Sequence, residues 1–219
     1  AGLNLQVKNP QKGLKPMQFR KSLSKIVSAM NLPFFPDKTF TRIDYKESGL
    51  PKGEYENCLF TECDFYQSGL NGILFTGCTF TGCNLSLADL TGTAFRDVSF
   101  IDCKMLGLRF EQCNGFGLSF SFENCLLNHS SFFQTKIRKT VFSNSQLHET
   151  DFTECDLSGA VFGNCDLADA SFEKTTLEKA DHRGAVNYSI DPENNRIKKA
   201  RFSLDGIPGL LTRFDIVIE

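Results

Sequence analysis

The sequence predicts a solenoid of short repeats, and three observations carry that prediction. An apolar residue recurs at every fifth position, a small residue stands two places before it, and all nine cysteines occupy that small position. The apolar series runs without exception from Phe40 through Tyr45, Leu50 and Tyr55 to Phe110. It fails at Gly115, resumes two residues out of phase at Phe122, continues to Leu177 and ends at His182. Neither the 3.6-residue period of a helix nor the alternation of a strand fits this pattern. The 22 Phe with no Trp belong to the same series.

The small positions are filled by residues such as Ser68, Ala88, Thr93, Ser130 and Thr150, and by Cys58, Cys63, Cys78, Cys83, Cys103, Cys113, Cys125, Cys155 and Cys165. A disulfide or zinc framework uses irregular spacings such as a CxxC pair. Here the closest pairs are a full repeat apart, so the cysteines read as buried, reduced, small apolar residues. Reduced cysteines imply a reducing compartment and a cytoplasmic protein.

Ala88-Asp89-Leu90, Cys83-Asn84-Leu85, Cys155-Asp156-Leu157 and Cys165-Asp166-Leu167 resemble the unit A(D/N)LXX of the pentapeptide-repeat family. The resemblance covers residues 40 to 181. It implies an all-β fold, a right-handed quadrilateral β-helix with four repeats and twenty residues per coil, with short helical caps at one or both ends. The centre and the small residue point inward and the other three positions face solvent. Coils stacked at about 4.8 Å give about seven coils and a rod of roughly 34 Å from Phe40. Burying each Phe or Leu stabilises by roughly 1.5 to 3 kcal/mol, and the ends need covering.

Taken in order, residues 1–38 form a basic extension, +6 by count, helical or foreign to the native chain. Phe19, Leu23, Ile26 and Met30 fall on one helical face. That helix, or the segment from Pro33 to Pro36, is the expected cap of one end. Residues 39–182 are the repeat region, with a register slip at 111–121 where two extra residues must bulge out. Residues 183–219 are the tail. Within it, Ala200-Arg201-Phe202 is similar to one last repeat, Ser203 to Pro208 leads into a helix with Leu210, Leu211 and Phe214 as its apolar face, and 216–218 reads as a strand. The run from Asp191 to Glu219 resembles the C-terminal tail of the Qnr-type quinolone-resistance proteins, which dimerise through it. That resemblance implies a homodimer held by Leu210, Leu211, Phe214 and Ile216.

The formal net charge of −2 is +6 from the extension, −9 from residues 39–181 and +1 from the tail. Residues twenty apart stack, so Glu149 lies under Asp169 and Asp44 under Asp64, where like charges repel. Asp166 joins the first of these faces, and Asp151 and Glu154 lie on the next. Glu154 with Lys174 and Asp89 with Arg109 read as stabilising ladders. Lys136, Arg138 and Lys139 make a separate face basic. The family resemblance implies a DNA mimic that binds a type II topoisomerase, DNA gyrase or topoisomerase IV, through Glu149, Asp151, Glu154, Asp166 and Asp169. Such a protein does not itself bind nucleic acid. The alternative is a protein-interaction scaffold with an unrelated partner. Duplex DNA of about 34 Å carries about 20 charges, more than twice the −9 counted here. No catalytic set, metal spacing or phosphate-cradling loop is visible, so the expectation is no enzyme, no cofactor, no metal and no membrane span.

Overall fold

The computed structural model describes residues 32–214 together with 216 and 217. The helix expected through Phe19, Leu23, Ile26 and Met30 lies outside the described residues. From Phe34 onward the chain winds as a parallel β-solenoid. Its strands are β1 (Phe34–Pro36), β2 (Thr39–Thr41), β3 (Glu54–Glu56), β4 (Leu59–Thr61), β5 (Leu74–Thr76), β6 (Thr79–Thr81), β7 (Ala94–Arg96), β8 (Val98–Ile101), β9 (Phe120–Glu123), β10 (Val141–Ser143) and β11 (Val161–Gly163). One side is the sheet β1-β3-β5-β7 and the next is the seven-stranded sheet β2-β4-β6-β8-β9-β10-β11. The other two sides are held by single-residue bridges, such as Asp44 to Asp64 to Asn84 and Ser131 to Asp151 to Ser171.

The strands are short because five residues must supply both a side and a corner. The centre points inward between two outward neighbours, and two residues later the backbone turns with positive φ. Asn57, Asn124, Asn144 and Asn164 and several glycines sit there, the residues that adopt this conformation at least cost, alongside others such as Glu62, Gln67 and His129. At Gly107 the φ is +66°, in the left-handed region that favours glycine.

Centres of successive coils stack on one another. On the seven-stranded side the rings of Phe40, Phe60, Phe80, Phe100, Phe122, Phe142 and Phe162 lie nearly parallel, with centroids 4.6 to 5.4 Å apart. His182 continues the column, 4.7 Å from Phe162 and 5.2 Å from Phe202. Burial is complete for most of these rings, and stacked aromatic pairs add about 0.5 to 1.5 kcal/mol beyond burial.

The small positions do more than fill space. Cys63, Cys83, Cys103 and Cys125 donate from Sγ to the carbonyls of Phe40, Phe60, Phe80 and Phe100 on the coil below. Thr93 Oγ1, Ser130 Oγ and Thr175 Oγ1 do the same to Leu70, Met105 and Phe152. A buried carbonyl gains a partner in each case, which is why Cys, Ser and Thr interchange in these columns. No disulfide joins any of the nine cysteines. Burial raises the thiol pKa of Cys78 and Cys155 to about 12.

Both ends reach beyond the expected boundaries. β1 pairs with β3 and sets Phe35 over Tyr55, so the segment ending at Pro36 is the first strand and not a cap. Bridges from Thr176 to Arg196 and from Asp181 to Arg201 carry the winding past His182. In place of the expected helix, the tail makes two 3₁₀ turns, Ile207–Leu210 and Thr212–Phe214. Gly206 and Gly209 lie so close to Tyr188 that a side chain at either would collide with it, and Pro208 lacks an N–H. Ile216 and Val217 are not in a strand, and Ile218 lies outside the described residues.

The slip is accommodated where it was expected. β8 pairs with β9 at Phe100 and Phe122, a coil of 22 residues. Phe116 is pushed outward, 63% exposed, with the Arg96 guanidinium over its ring. Inside, Phe120 occupies a small position and fills the gap left by Gly115, packing against Phe95, Phe110, Phe122 and Phe132. Replacing Phe120 with Cys, the residue that suits other small positions, should therefore cost about 3 to 5 kcal/mol, as large core truncations do. An unchanged urea midpoint would show that the slip collapses around the smaller side chain.

His182 gives the solenoid an acid limit. Neither ring nitrogen has a hydrogen-bond partner, and Tyr188 and Asp181 are the titratable groups nearest it. Burial lowers its pKa from 6.5 to about 4, against a smaller opposing pull from Asp181. Above pH 6.5 the imidazole is neutral in folded and unfolded chains alike. As pH falls from 6.5 to 4, only the unfolded chain takes up the proton, and up to about 3 kcal/mol of stability is lost. His182→Phe should remove this loss while completing the Phe column. Identical pH dependence of the wild-type and variant urea midpoints would exclude His182 as the cause.

Candidate interaction surface

With centres and small residues buried, only three positions per repeat face outward: one before the centre, one after it, and the corner. The five candidate acids fall into two of these classes. Asp151 and Asp166 precede the centres Phe152 and Leu167. Glu149, Glu154 and Asp169 are corners with φ of 53° to 57°. Glu149, Asp166 and Asp169 share one side of successive coils, while Asp151 and Glu154 belong to the next, as their spacing predicted.

The first class has a structural task. Asp151 Oδ1 accepts a bond from Thr153 N at 2.8 Å, and Asp166 Oδ1 one from Ala168 N at 3.2 Å. The same closure recurs at Asp44, Asp64, Asp89, Asp156, Asp181 and Asp191. Asp or Asn before the centre thus forms a side-chain turn that fixes the start of each corner. The corner acids have no such role. Glu149, Glu154 and Asp169 are exposed, and Asp169 has no side-chain partner among the described residues.

Several acids are matched locally. His129 Nδ1 lies 3.3 Å from Glu149 Oε2, and His148 Nε2 lies 2.8 Å from Asp166 Oδ2. Asn187 donates to Asp166 at 2.8 Å. Burial pushes the Asp166 carboxyl up, but the bonds from Asn187 and Ala168 and the His148 imidazole beside it together hold it below the usual range. Lys46 Nζ bridges Asp44 and Asp64 at 3.1 and 3.0 Å, so the repulsion expected there is neutralised. The expected ladders differ too. Glu154 accepts from Gln134 at 2.8 Å, and Arg109 turns to Glu111 at 2.8 Å and away from Asp89. Exposed pairs of this kind contribute little to stability. Lys46 and Arg109 also reduce the field that their acids present to a partner.

The tail folds back on the last coil. Leu210 packs against the core and Leu211 is half-buried. Ile190 N donates to Gly209 O, and Arg213 reaches Asp191 and Glu193, each at 2.7 Å. Phe214 and Ile216 are 49% and 56% exposed, alongside Leu204 at 89% and Val217 at 87%. A surface cleft of about 740 Å³ between tail and coil is lined in part by Asp169, Arg183, Tyr188 and Asp205. Among the described residues no cluster of His, Cys, Asp or Glu could hold a metal ion, and no helix is long and apolar enough to cross a membrane.

Sequence reasoning missed three things: the corner column, the donor role of the small residues, and the pairing of His129 and His148 with acids. The first was readable in part, as Asn or Gly standing two residues after many of the centres, among them Asn57, Gly72, Gly77, Gly82, Asn124, Asn144 and Asn164. The last was readable from the twenty-residue stacking of His129 under Glu149.

A family model described as pentapeptide repeat region matches residues 109–182, and one described as pentapeptide repeats matches residues 58–97. No curated protein matches by sequence. Among solved structures, a trypsin-treated form of QnrB1, described as a plasmid-mediated fluoroquinolone resistance protein, superposes with a TM-score of 0.68 at 14% identity, over 85% of this chain and 92% of that one. A second trypsin-treated form gives 0.57 at 15% over 85% and 100%. Full-length QnrB1 gives 0.52 at 16% over 84% and 100%. At these identities the likeness is one of fold.

Proposed function

Since this chain belongs to the pentapeptide-repeat family, we propose that it is a non-enzymatic, cytoplasmic binding protein that occupies the DNA site of a type II topoisomerase, DNA gyrase or topoisomerase IV, and so protects against fluoroquinolones. One observation carries this reading: Glu149 and Asp169 project from consecutive corners, about 5 Å apart by strand pairing, beside Asp166. A file of carboxylates at that spacing offers a basic, DNA-binding surface a row of charges to meet. The fold likeness to QnrB1 supports the same reading. The nine unpaired thiols suit a reducing compartment.

A general protein-interaction scaffold remains the second reading, favoured by one observation. Asp151 and Asp166 close turns, and His129, His148 and Gln134 partner the rest of the set apart from Asp169. A supercoiling assay with gyrase, with and without fluoroquinolone, separates the two. Micromolar protein should change supercoiling or reduce drug-stabilised cleavage, and Glu149→Gln with Asp169→Asn should weaken the effect about tenfold or more. Asp166→Asn keeps the turn while removing charge. No effect of the wild-type chain on either readout would leave the scaffold reading.

We also propose a homodimer joined through the tail. Phe214 and Ile216 offer the exposed apolar surface, whereas Leu210 covers the chain's own last coil. Sedimentation should show a dimer that Phe214→Asp with Ile216→Asp converts to monomer. A dimer undisturbed by that pair would place the contact elsewhere.

A further inference from the structure

Beyond the slip, the side of the solenoid opposite Glu149 and Asp166 carries the contrary charge, whereas its earlier coils bear Glu54 and Glu56 on β3. Its centres are Ile137, Leu157, Leu177 and Ile197, and its rungs are fixed by bridges from Lys136 to Asp156, Asp156 to Thr176, and Thr176 to Arg196. One end of this strip holds Lys136, Arg138 and Lys139. The other holds Arg196, Lys198 and Lys199. Lys179 stands at a corner between them. All seven are exposed, and among the described residues only Arg138 has an acidic partner, Asp156 at 2.7 Å. Lys139, Lys179 and Lys199 all occupy positive-φ corners, at the edge where the strip meets the seven-stranded side.

The spacing of the two triads limits what they fit. Three rungs separate Lys136 from Arg196, roughly 14 Å at the spacing of paired strands. The walls of a duplex groove stand about 6 Å apart on the minor side and about 12 Å on the major, so long side chains from each triad can meet the phosphates of one wall. The acids of the strip, Asp156 and half-buried Glu178, lie between the triads, over the open groove and away from the phosphates. Asp156 is also held inward by Arg138 and Ser158. The acidic side acts from further off: a phosphate docked on the strip meets its cations at a few Å, whereas the facing wall is about 10 Å away before side chains are added, so the near charges dominate.

We propose that this basic strip is a sequence-independent docking surface for the phosphate backbone of double-stranded nucleic acid, with one triad on each wall of a groove. The proposal stands apart from topoisomerase binding and revises the expectation that the rod does not touch nucleic acid. No base contact is required, so affinity is micromolar or weaker at physiological salt and falls steeply as salt rises.

Fluorescence anisotropy of a labelled 20-base-pair duplex with the full chain tests it, without any topoisomerase. The basic N-terminal extension is common to all variants, so differences between them report the strip. Lys136→Gln with Lys139→Gln, and separately Lys198→Gln with Lys199→Gln, should each lower affinity about tenfold at 50 mM salt. Each pair should reduce the slope of log affinity against log salt by about 2. Lys52→Gln with Lys104→Gln, equal in charge but on other sides, should change neither. Circular dichroism of each variant checks that the fold is retained. Unchanged slopes for both triad variants would overturn the proposal and assign any binding to the extension. Equal competition by single-stranded DNA of the same length would overturn the groove geometry. Loss of a salt-sensitive self-association, with duplex binding untouched, would give the strip to the acidic side of a second copy.

Discussion

Everything in this solenoid depends on the rung spacing of parallel strand pairing. Once twenty residues close a coil, each side chain has its equivalent about 4.8 Å above and below it, and any choice made at one position is repeated along a column. A flat ring tolerates this well, because ring faces stack near that distance. Hence Phe142 and Phe162 stack at 5.0 Å and 3°, and the column from Phe40 to Phe162 needs no other packing solution. Polar columns obey the same rule differently. A thiol or hydroxyl at the small position reaches the carbonyl one coil down, so the column becomes a ladder of hydrogen bonds that would otherwise be missing from a dry interior.

The same rule decides which departures are tolerated. Gly115 removes a centre, and the chain answers with Phe120, two places before the next one, so that total volume is kept while its distribution shifts. His182 preserves the shape of the stack and introduces a chemistry the interior cannot solvate. It lies where the regular strands have ended and the tail begins, in contact with Tyr188 and Phe202.

The inward positions were legible in the sequence because burial leaves a periodic trace. Every centre from Tyr45 to Phe110 and from Phe122 to Leu177 is buried. The ends were less legible. At Phe35 the period extends one step before the expected start, but Pro33 and Pro36 on either side mimic a break. After His182 the centres shift, with Tyr188 and Ile190 buried in place of Asn187, so the period fails while the winding continues. The tail was misread because Leu210, Leu211 and Phe214 have helical spacing, whereas Gly206 and Gly209 weaken a helix and pack against Tyr188 in two 3₁₀ turns. The acids were found by stacking, but their partners were not. His148 and Asp166 lie eighteen residues apart, and Arg109 chose Glu111 over Asp89, a competition that the positions of side chains decide and the period does not.

Because the interior is spoken for, recognition falls to outward positions, and these are arranged by side of the coil. A net charge for the chain, or for the rod alone, averages over walls that face opposite ways, so that a partner docked on one wall meets its charges at a few Å and those of the other at about 10 Å or more. The side bearing Glu149, Asp166 and Asp169 and the side bearing Lys136 and Arg196 therefore act as separate surfaces, each with its own field. Within one side, the turn-closing position is the least free to change, since Asp or Asn there holds the corner. The corner itself is freer: Asn, Gly, Glu, Asp and Lys all stand there with the same backbone. It follows that acid at a turn-closing position is weak evidence for a partner. Charge at a corner, where Asn or Gly would fit the backbone at less cost, is the stronger evidence, and Glu149, Glu154, Asp169, Lys139, Lys179 and Lys199 are among the charged corners.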